Sequence, residues 1–199
     1  FRAVKHDFYN MLHAYQGYLN LRDFAGLQQY HDALMHQVRQ SGRALELQDS
    51  LQDNPPLLGV VMAACAKAEQ LGVRLDIAGR FGGAYLDPLS TSRFFGILLD
   101  NALVEAHRSA RKQVSLYAEP QYAREGATLR VEITNSTDAV IEPDLLLQPR
   151  ASGKQGHMGQ GLRQVRQILR QSPNLSMTCT WENYTVKMTV LIRQNAPQP

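Results

Sequence analysis

GILLDNALVEA, residues 96–106, is the stretch on which the fold of this chain turns. It lies within residues 87–108, whose pattern is that of a helix, and most of its side chains are apolar. Asn101 nevertheless sits inside the apolar run, with Asp100 before it and Glu105 one turn later. An amide among apolar side chains is costly unless something pairs with it. Its oxygen is also a ligand of the kind taken by Mg²⁺, a hard cation that binds oxygen and keeps part of its water. This helix is therefore expected to line a pocket.

Downstream, residues 113–119, 128–134, 176–182 and 185–193 alternate as strands, the last two joined through Asn183-Tyr184 as a hairpin. Upstream, residues 57–71 read as a helix ending at Gly72, and 74–81 as a strand. Helices with an antiparallel or mixed sheet make an α+β sandwich. Residues 136–161 keep no steady period, and a loop of that length inside a compact domain is usually functional. It holds ASGKQGHMGQGLRQV, residues 151–165, with glycines at 153, 156, 159 and 161 just before a last helix from about 161 to 171. Glycine backbone at a helix N-terminus is a phosphate cradle, and Lys154 adds a mobile cation. The spacing is neither that of a Walker A loop nor that of a Rossmann turn.

Further upstream, Val4, Phe8, Met11, Leu12, Tyr15 and Leu19 mark the apolar stripe of a helix over residues 1–22. Asp23 is placed to cap a second helix carrying Leu27, Tyr30, Leu34, Val38 and Leu45, which Asn54-Pro55-Pro56 breaks. Two such helices form an antiparallel hairpin, and pairing two copies into a four-helix bundle would bury the remaining stripe. His6, Asn10, His13 and Gly17 share another edge of the first helix. A neutral imidazole is a nucleophile when a carboxylate holds one ring N–H, and Asp7 stands beside His6. Asn10 lies where an amide could orient water against a modified His6. The histidines at 6, 13, 31 and 36 match no zinc signature.

The chain has 199 residues, 44% hydrophobic and 20% charged, with a net charge of +3. That suits an ordinary globular protein and gives no basis for nucleic-acid binding. Cys65 and Cys179 stand apart without a partner motif, which fits buried thiols in a reducing, cytoplasmic setting. No apolar run reaches the roughly 18 residues of a membrane span. The chain begins at Phe1 inside a helical pattern, so a fragment is expected whose upstream part could carry a membrane segment.

Taken in order, HDxxN, LLDNA with Glu105 and Ala106, a strand ending VEITNS, and SGK…GxGL resemble the dimerisation and ATP-binding core of a bacterial sensor histidine kinase, in the GHKL superfamily. The chain is most similar to the peptide-pheromone, quorum-sensing class. Arg2, His6, Asp7, Phe8, Asn10 and Leu12 fit that class's H-box, and Leu98 to Ala102 with Glu105 and Ala106 its N-box. Ser152, Lys154, Gly159, Gly161 and Leu162 fit its lid, and the likeness covers nearly the whole chain.

The resemblance implies a hairpin of residues 1–53 that dimerises into a four-helix bundle, followed by an ATP-binding α/β sandwich of residues 54–199. It implies that His6 accepts the γ-phosphoryl of ATP, that Asp7 acts as base or orienter, and that Asn10 assists dephosphorylation. Asn101 would hold Mg²⁺, Glu105 belongs to the same box, and Asn135 would meet the adenine amine. Ser152, Lys154, Gly159, Gly161 and Leu162 would close on the phosphates. The partners implied are a second copy and the receiver domain of a response regulator. Gly153 replaces the family's Thr, and Arg163 stands where many relatives carry a third Gly. Related ATPases such as gyrase place a Glu four residues before the Asn to activate water, whereas Ile97 is apolar, which points to a kinase. The alternative is a phosphotransfer or scaffold protein that keeps the hairpin and has lost ATP.

Overall fold

In the computed structural model, which describes residues 13–36, 51, 54–82, 86–124, 126–140 and 158–195, the first connection is a tight helix-to-helix turn. Helix α1 (residues 13–20) ends as Arg22 takes a left-handed conformation, φ 55°. The Arg22 N–H then donates to Leu19 O at 3.1 Å and the Asp23 N–H to Tyr18 O at 3.0 Å. Those paired bonds satisfy carbonyls that the helix end would otherwise leave open. Asp23 caps the next helix, α2 (Phe24–His36), as its place in the sequence predicts: its carboxylate accepts the Gly26 N–H at 2.9 Å. Tyr15 and Tyr18 each pack on Tyr30 with ring centroids 5.6 Å apart, and Tyr15 Oη bonds His31 Nδ1 at 2.9 Å. The expected hairpin is thus present over residues 13–36, within a compact unit Phe1–Gly42.

In the second unit, Arg43–Pro199, a helix begins where the sequence pattern placed a break. Asn54 Oδ1 accepts the Leu57 N–H at 3.3 Å, and Pro55 and Pro56 occupy first-turn positions whose N–H groups would have no partner. The same residues that cannot continue a helix therefore begin α3 (Pro55–Leu71). Gly72, at φ 62°, closes that helix by donating to Glu69 O at 3.1 Å. His107 Nδ1 adds a bond to the Leu71 carbonyl at 2.7 Å. Leu51 is helical and fully buried in the core of this unit.

Strand β1 (Arg74–Gly79) leads to α4 (Pro88–Arg108), capped by Asp87 through the Ser90 N–H at 2.9 Å. There follow β2 (Gln113–Ala123), β3 (Gly126–Ser136), α5 (Met158–Gln171), β4 (Leu175–Glu182) and β5 (Thr185–Asn195). The sheet has five strands in the order β1-β2-β3-β5-β4, with β1 and β2 parallel and the remaining neighbours antiparallel. Asn183 and Tyr184 both take positive φ, 49° and 57°, the geometry of a two-residue hairpin turn, so the expected β4–β5 hairpin is present.

Alternation along the strands divides the sheet into two faces. Val114, Leu116, Leu129, Val131, Ile133, Val190 and Ile192 are fully or almost fully buried on the side covered by α3, α4 and α5. Phe94, Phe95, Leu98 and Leu103 fill the centre from α4. The opposite face is polar. There Glu132 of β3 pairs with Arg130 on its own strand and with Lys187 of β5, the latter at 2.9 Å. Burial raises the pKa of the Glu132 carboxyl, but the Lys187 and Arg130 charges and hydrogen bonds outweigh it and bring it below the usual value. The expected α+β sandwich is therefore found, as helices stacked on one side of a mixed sheet.

Candidate functional site

Asn101 enters the core by the helical period alone: Leu98, Leu99, Ala102 and Leu103, all at most 1% exposed, are its neighbours along α4. Its Nδ2 is buried without a hydrogen-bond partner. Asp100, one position earlier, turns outward and pairs with Lys67 of α3 at 2.8 Å. Two adjacent polar residues are thus treated in opposite ways by the same helix. The exposed one is neutralised, and the inward one is left open.

The first turn of α5 lies against this amide. A Cβ at Gly161 would sit 3.0 Å from Ile97 Cγ2 and 3.9 Å from Asn101 Nδ2, so the absence of a side chain lets the two helices approach. The structure therefore brings together Asn101 of the N-box, Ile97 four residues before it, and Gly161 of the glycine cluster. Leu162 follows, half-buried. Helix α5 begins at Met158, about three residues earlier than the sequence suggested, so Gly159 and Gly161 belong to its first turn. N–H groups in a first helical turn have no partner within the helix and attract anions. Arg163 is exposed, while Val165 is fully buried and Ile168 nearly so. Two residues turn a helix by about 200°, so Arg163 points away from the side of Gly161 and takes the place of a glycine there without crowding α4.

Asn135 stands near the end of β3, only 4% exposed, between Val114 of β2 and Val186 of β5 in the sheet register. Its Nδ2 donates to Ser136 O at 3.1 Å. Glu105, one turn beyond Asn101, accepts a hydrogen bond from Thr137 Oγ1 at 2.9 Å. Behind this pair, Ser109 Oγ and Ser136 Oγ bond at 2.7 Å, and Ser136 Oγ accepts the Gln113 N–H at 3.0 Å. Thr137 and Ser109 carry little signal in the sequence: Thr137 belongs to a run of small polar residues after a strand, which usually marks an ordinary turn, and Ser109 follows the end of a helix.

His6, Asp7, Asn10, Ser152 and Lys154 lie outside the described residues. Among the described residues no group of three or more His, Cys, Asp or Glu is placed to hold a metal, and no helix is long and apolar enough to cross a membrane. An amide with a free Nδ2 beside the first turn of a helix still fits Mg²⁺ carried by phosphates, because that ion takes few protein ligands and completes its shell with water and phosphate oxygen. Turning the Asn101 amide half a revolution exchanges nitrogen for oxygen at the open position. Burial pushes the Cys179 thiol up to about 11, so it remains a protonated packing group.

No family profile and no curated protein matches the chain. Solved structures do. The nucleotide-free catalytic domain of the histidine kinase ThkA superposes with a TM-score of 0.57 at 16% identity, over 70% of this chain and 91% of that one. The Acinetobacter baumannii histidine kinase AdeS gives 0.54 at 16% identity, over 96% and 98% of the two chains. Full-length ShkA, solved in complex with AMPPNP, gives 0.52 at 14% identity, over 72% of this chain and 31% of its own. At such identities the likeness is one of fold: the mixed sheet and its helical layer resemble the architecture of these histidine-kinase structures.

Proposed function

We propose that the chain is the core of a sensor histidine kinase of the peptide-pheromone class, which phosphorylates its own His6 with ATP and passes the group to an aspartate of a response regulator. The observation that carries this is Nδ2 of the Asn101 amide, buried and unpartnered against the first turn of α5. An unsatisfied buried amide costs about 1–3 kcal/mol, a cost that a ligand can remove. In this reading the adenine lies toward Asn135, while the phosphates lie toward Asn101, Gly159, Gly161, Leu162, Ser152 and Lys154. Bound Mg²⁺ would draw charge from the phosphate oxygens, with Asn101 as its protein ligand. A free ring nitrogen of His6 attacks the γ-phosphorus, the bond to the β–γ bridging oxygen breaks, and ADP leaves. Asp7 holds the other ring N–H and takes up that proton as the imidazole becomes a phosphoimidazole. Ile97 gives this site no carboxylate to activate water, which favours a histidine over water as acceptor.

The protein would act as a homodimer through the hairpin, on the cytoplasmic side of a membrane. Asn10 would serve the reverse, dephosphorylating traffic. The test is incubation with γ-labelled ATP and Mg²⁺. The expected product carries an acid-labile, alkali-stable label that His6→Gln abolishes while ATP binding persists. Undiminished labelling of that variant would reassign the acceptor, and a wild-type protein that binds no ATP in calorimetry would be a phosphotransfer scaffold.

A further inference from the structure

Thr137 is 0% exposed and makes three hydrogen bonds to three different places. Its Oγ1 donates to Glu105 Oε1 of α4 at 2.9 Å and accepts the Ala139 N–H at 3.1 Å, while its own N–H donates to Tyr184 O in the β4–β5 turn at 3.0 Å. A hydroxyl bonded to a carboxylate is a charge-assisted contact, roughly twice as strong as a neutral one. On α4, Glu105 is one turn from Asn101 and shares its side of the helix. On the sheet, Thr137 follows Asn135 by two residues. The bond therefore joins the helix that carries Asn101 to the strand that carries Asn135, at a point one step from each.

We infer that Thr137 is a positioning residue, which through Glu105 fixes α4 against the end of β3 and so sets the span between Asn101 and Asn135. This rests on the nucleotide reading above. The ligand concerned is an adenine nucleotide long enough to engage a base-side amide and a phosphate-side amide together. A slide of α4 along the sheet would leave each residue intact yet take one of them out of reach.

The experiment is calorimetric titration of the full chain with ATP and Mg²⁺, well below the melting temperature, so that every variant compared is folded. Thr137→Val keeps the shape and removes the hydroxyl, and should weaken ATP binding about tenfold. Thr137→Ser keeps the hydroxyl and should bind within about twofold of wild type. Glu105→Ala cuts the same bond from the helix side. It should cost what Thr137→Val costs, and the double variant no more than either alone, because groups acting as one unit are not additive. A role confined to stability would lower the melting temperature and leave affinity unchanged in the folded protein. Wild-type affinity in folded Thr137→Val would overturn the inference, as would losses that add in the double variant, since Glu105 would then touch the ligand independently. Should Thr137→Val fail to fold, Glu105→Ala and Thr137→Ser decide: wild-type affinity in the first, or a full loss in the second, overturns it. A wild-type chain that binds no ATP removes the nucleotide reading and this inference with it.

Discussion

Asn101 shows how a residue can be wrong for stability and right for a site. Its Nδ2 is buried without a hydrogen-bond partner, so removing it should relieve the unbound fold. Asn101→Ala is expected to raise unfolding free energy by about 1 kcal/mol, combining the lost unsatisfied group with better helix propensity. The same change should abolish ATP binding and His6 labelling. Denaturant unfolding and calorimetry on one preparation would check both, and a destabilised variant that still bound ATP would refute the assignment. Glu132 is the opposite case, a satisfied charge on the other face of the sheet. Its pKa is lower in the folded chain than in the unfolded one, so the unfolded state binds its proton more readily as the pH falls. Its contribution is therefore present above the ordinary carboxylate value and is lost as the pH drops through the depressed one. Because Arg130 and Lys187 are 40% and 41% exposed, solvent screens the pair. Glu132→Gln should cost no more than about 1 kcal/mol at pH 7. The difference should vanish in acid and shrink in high salt, as pH-dependent urea unfolding would reveal.

At the scale of elements, the contact that matters is the first turn of α5 on the middle of α4. A methyl at position 161 would meet Ile97 Cγ2 at 3.0 Å, tighter than side chains normally pack, so α5 must shift or Ile97 must turn. Gly161→Ala is expected to weaken ATP binding severalfold, and Gly161→Val more. Gly59 on α3 is the control, since a Cβ there meets nothing within 4 Å. Gly59→Ala should stabilise the chain by about 0.5–1 kcal/mol, because it removes freedom from the unfolded chain and crowds nothing. It should leave nucleotide binding untouched. Thermal unfolding and titration of the two variants would distinguish packing from propensity. Element types were legible in the sequence, because the periods of helix and strand are local properties. Their ends were less so: β2 and β3 each run beyond the expected limits, since a strand continues for as long as its neighbour offers a ladder, and α5 starts early over glycines that propensity disfavours.

At the scale of the whole molecule, the hairpin leaves apolar surface uncovered in a single chain, with Leu19 49% exposed. Fully burying a side chain of this kind is worth about 1.5–3 kcal/mol before entropy is charged. A dimer is therefore expected by light scattering at micromolar concentration, and a monomeric mass would count against the bundle. In the proposed reading His6 and the residues that would hold ATP belong to different units, so autophosphorylation would need them to meet. Asn10→Ala should spare autophosphorylation and slow dephosphorylation of the partner regulator, read from the decay of labelled regulator.

The sequence alone determined the kinds and order of the elements, the hairpin turn at Asp23, the β4–β5 turn and the residues worth suspecting, because each rests on neighbours within about one or two turns of the chain. It marked Asn101 and Gly161 as unusual for local reasons, and Asn135 only through the family resemblance. Only the tertiary structure decided that Gly161 lies against Asn101 and that Glu105 is held by Thr137. Those facts depend on packing between residues from 32 to 60 positions apart. No local propensity encodes such a distance. It is set by how one helical layer settles on one sheet.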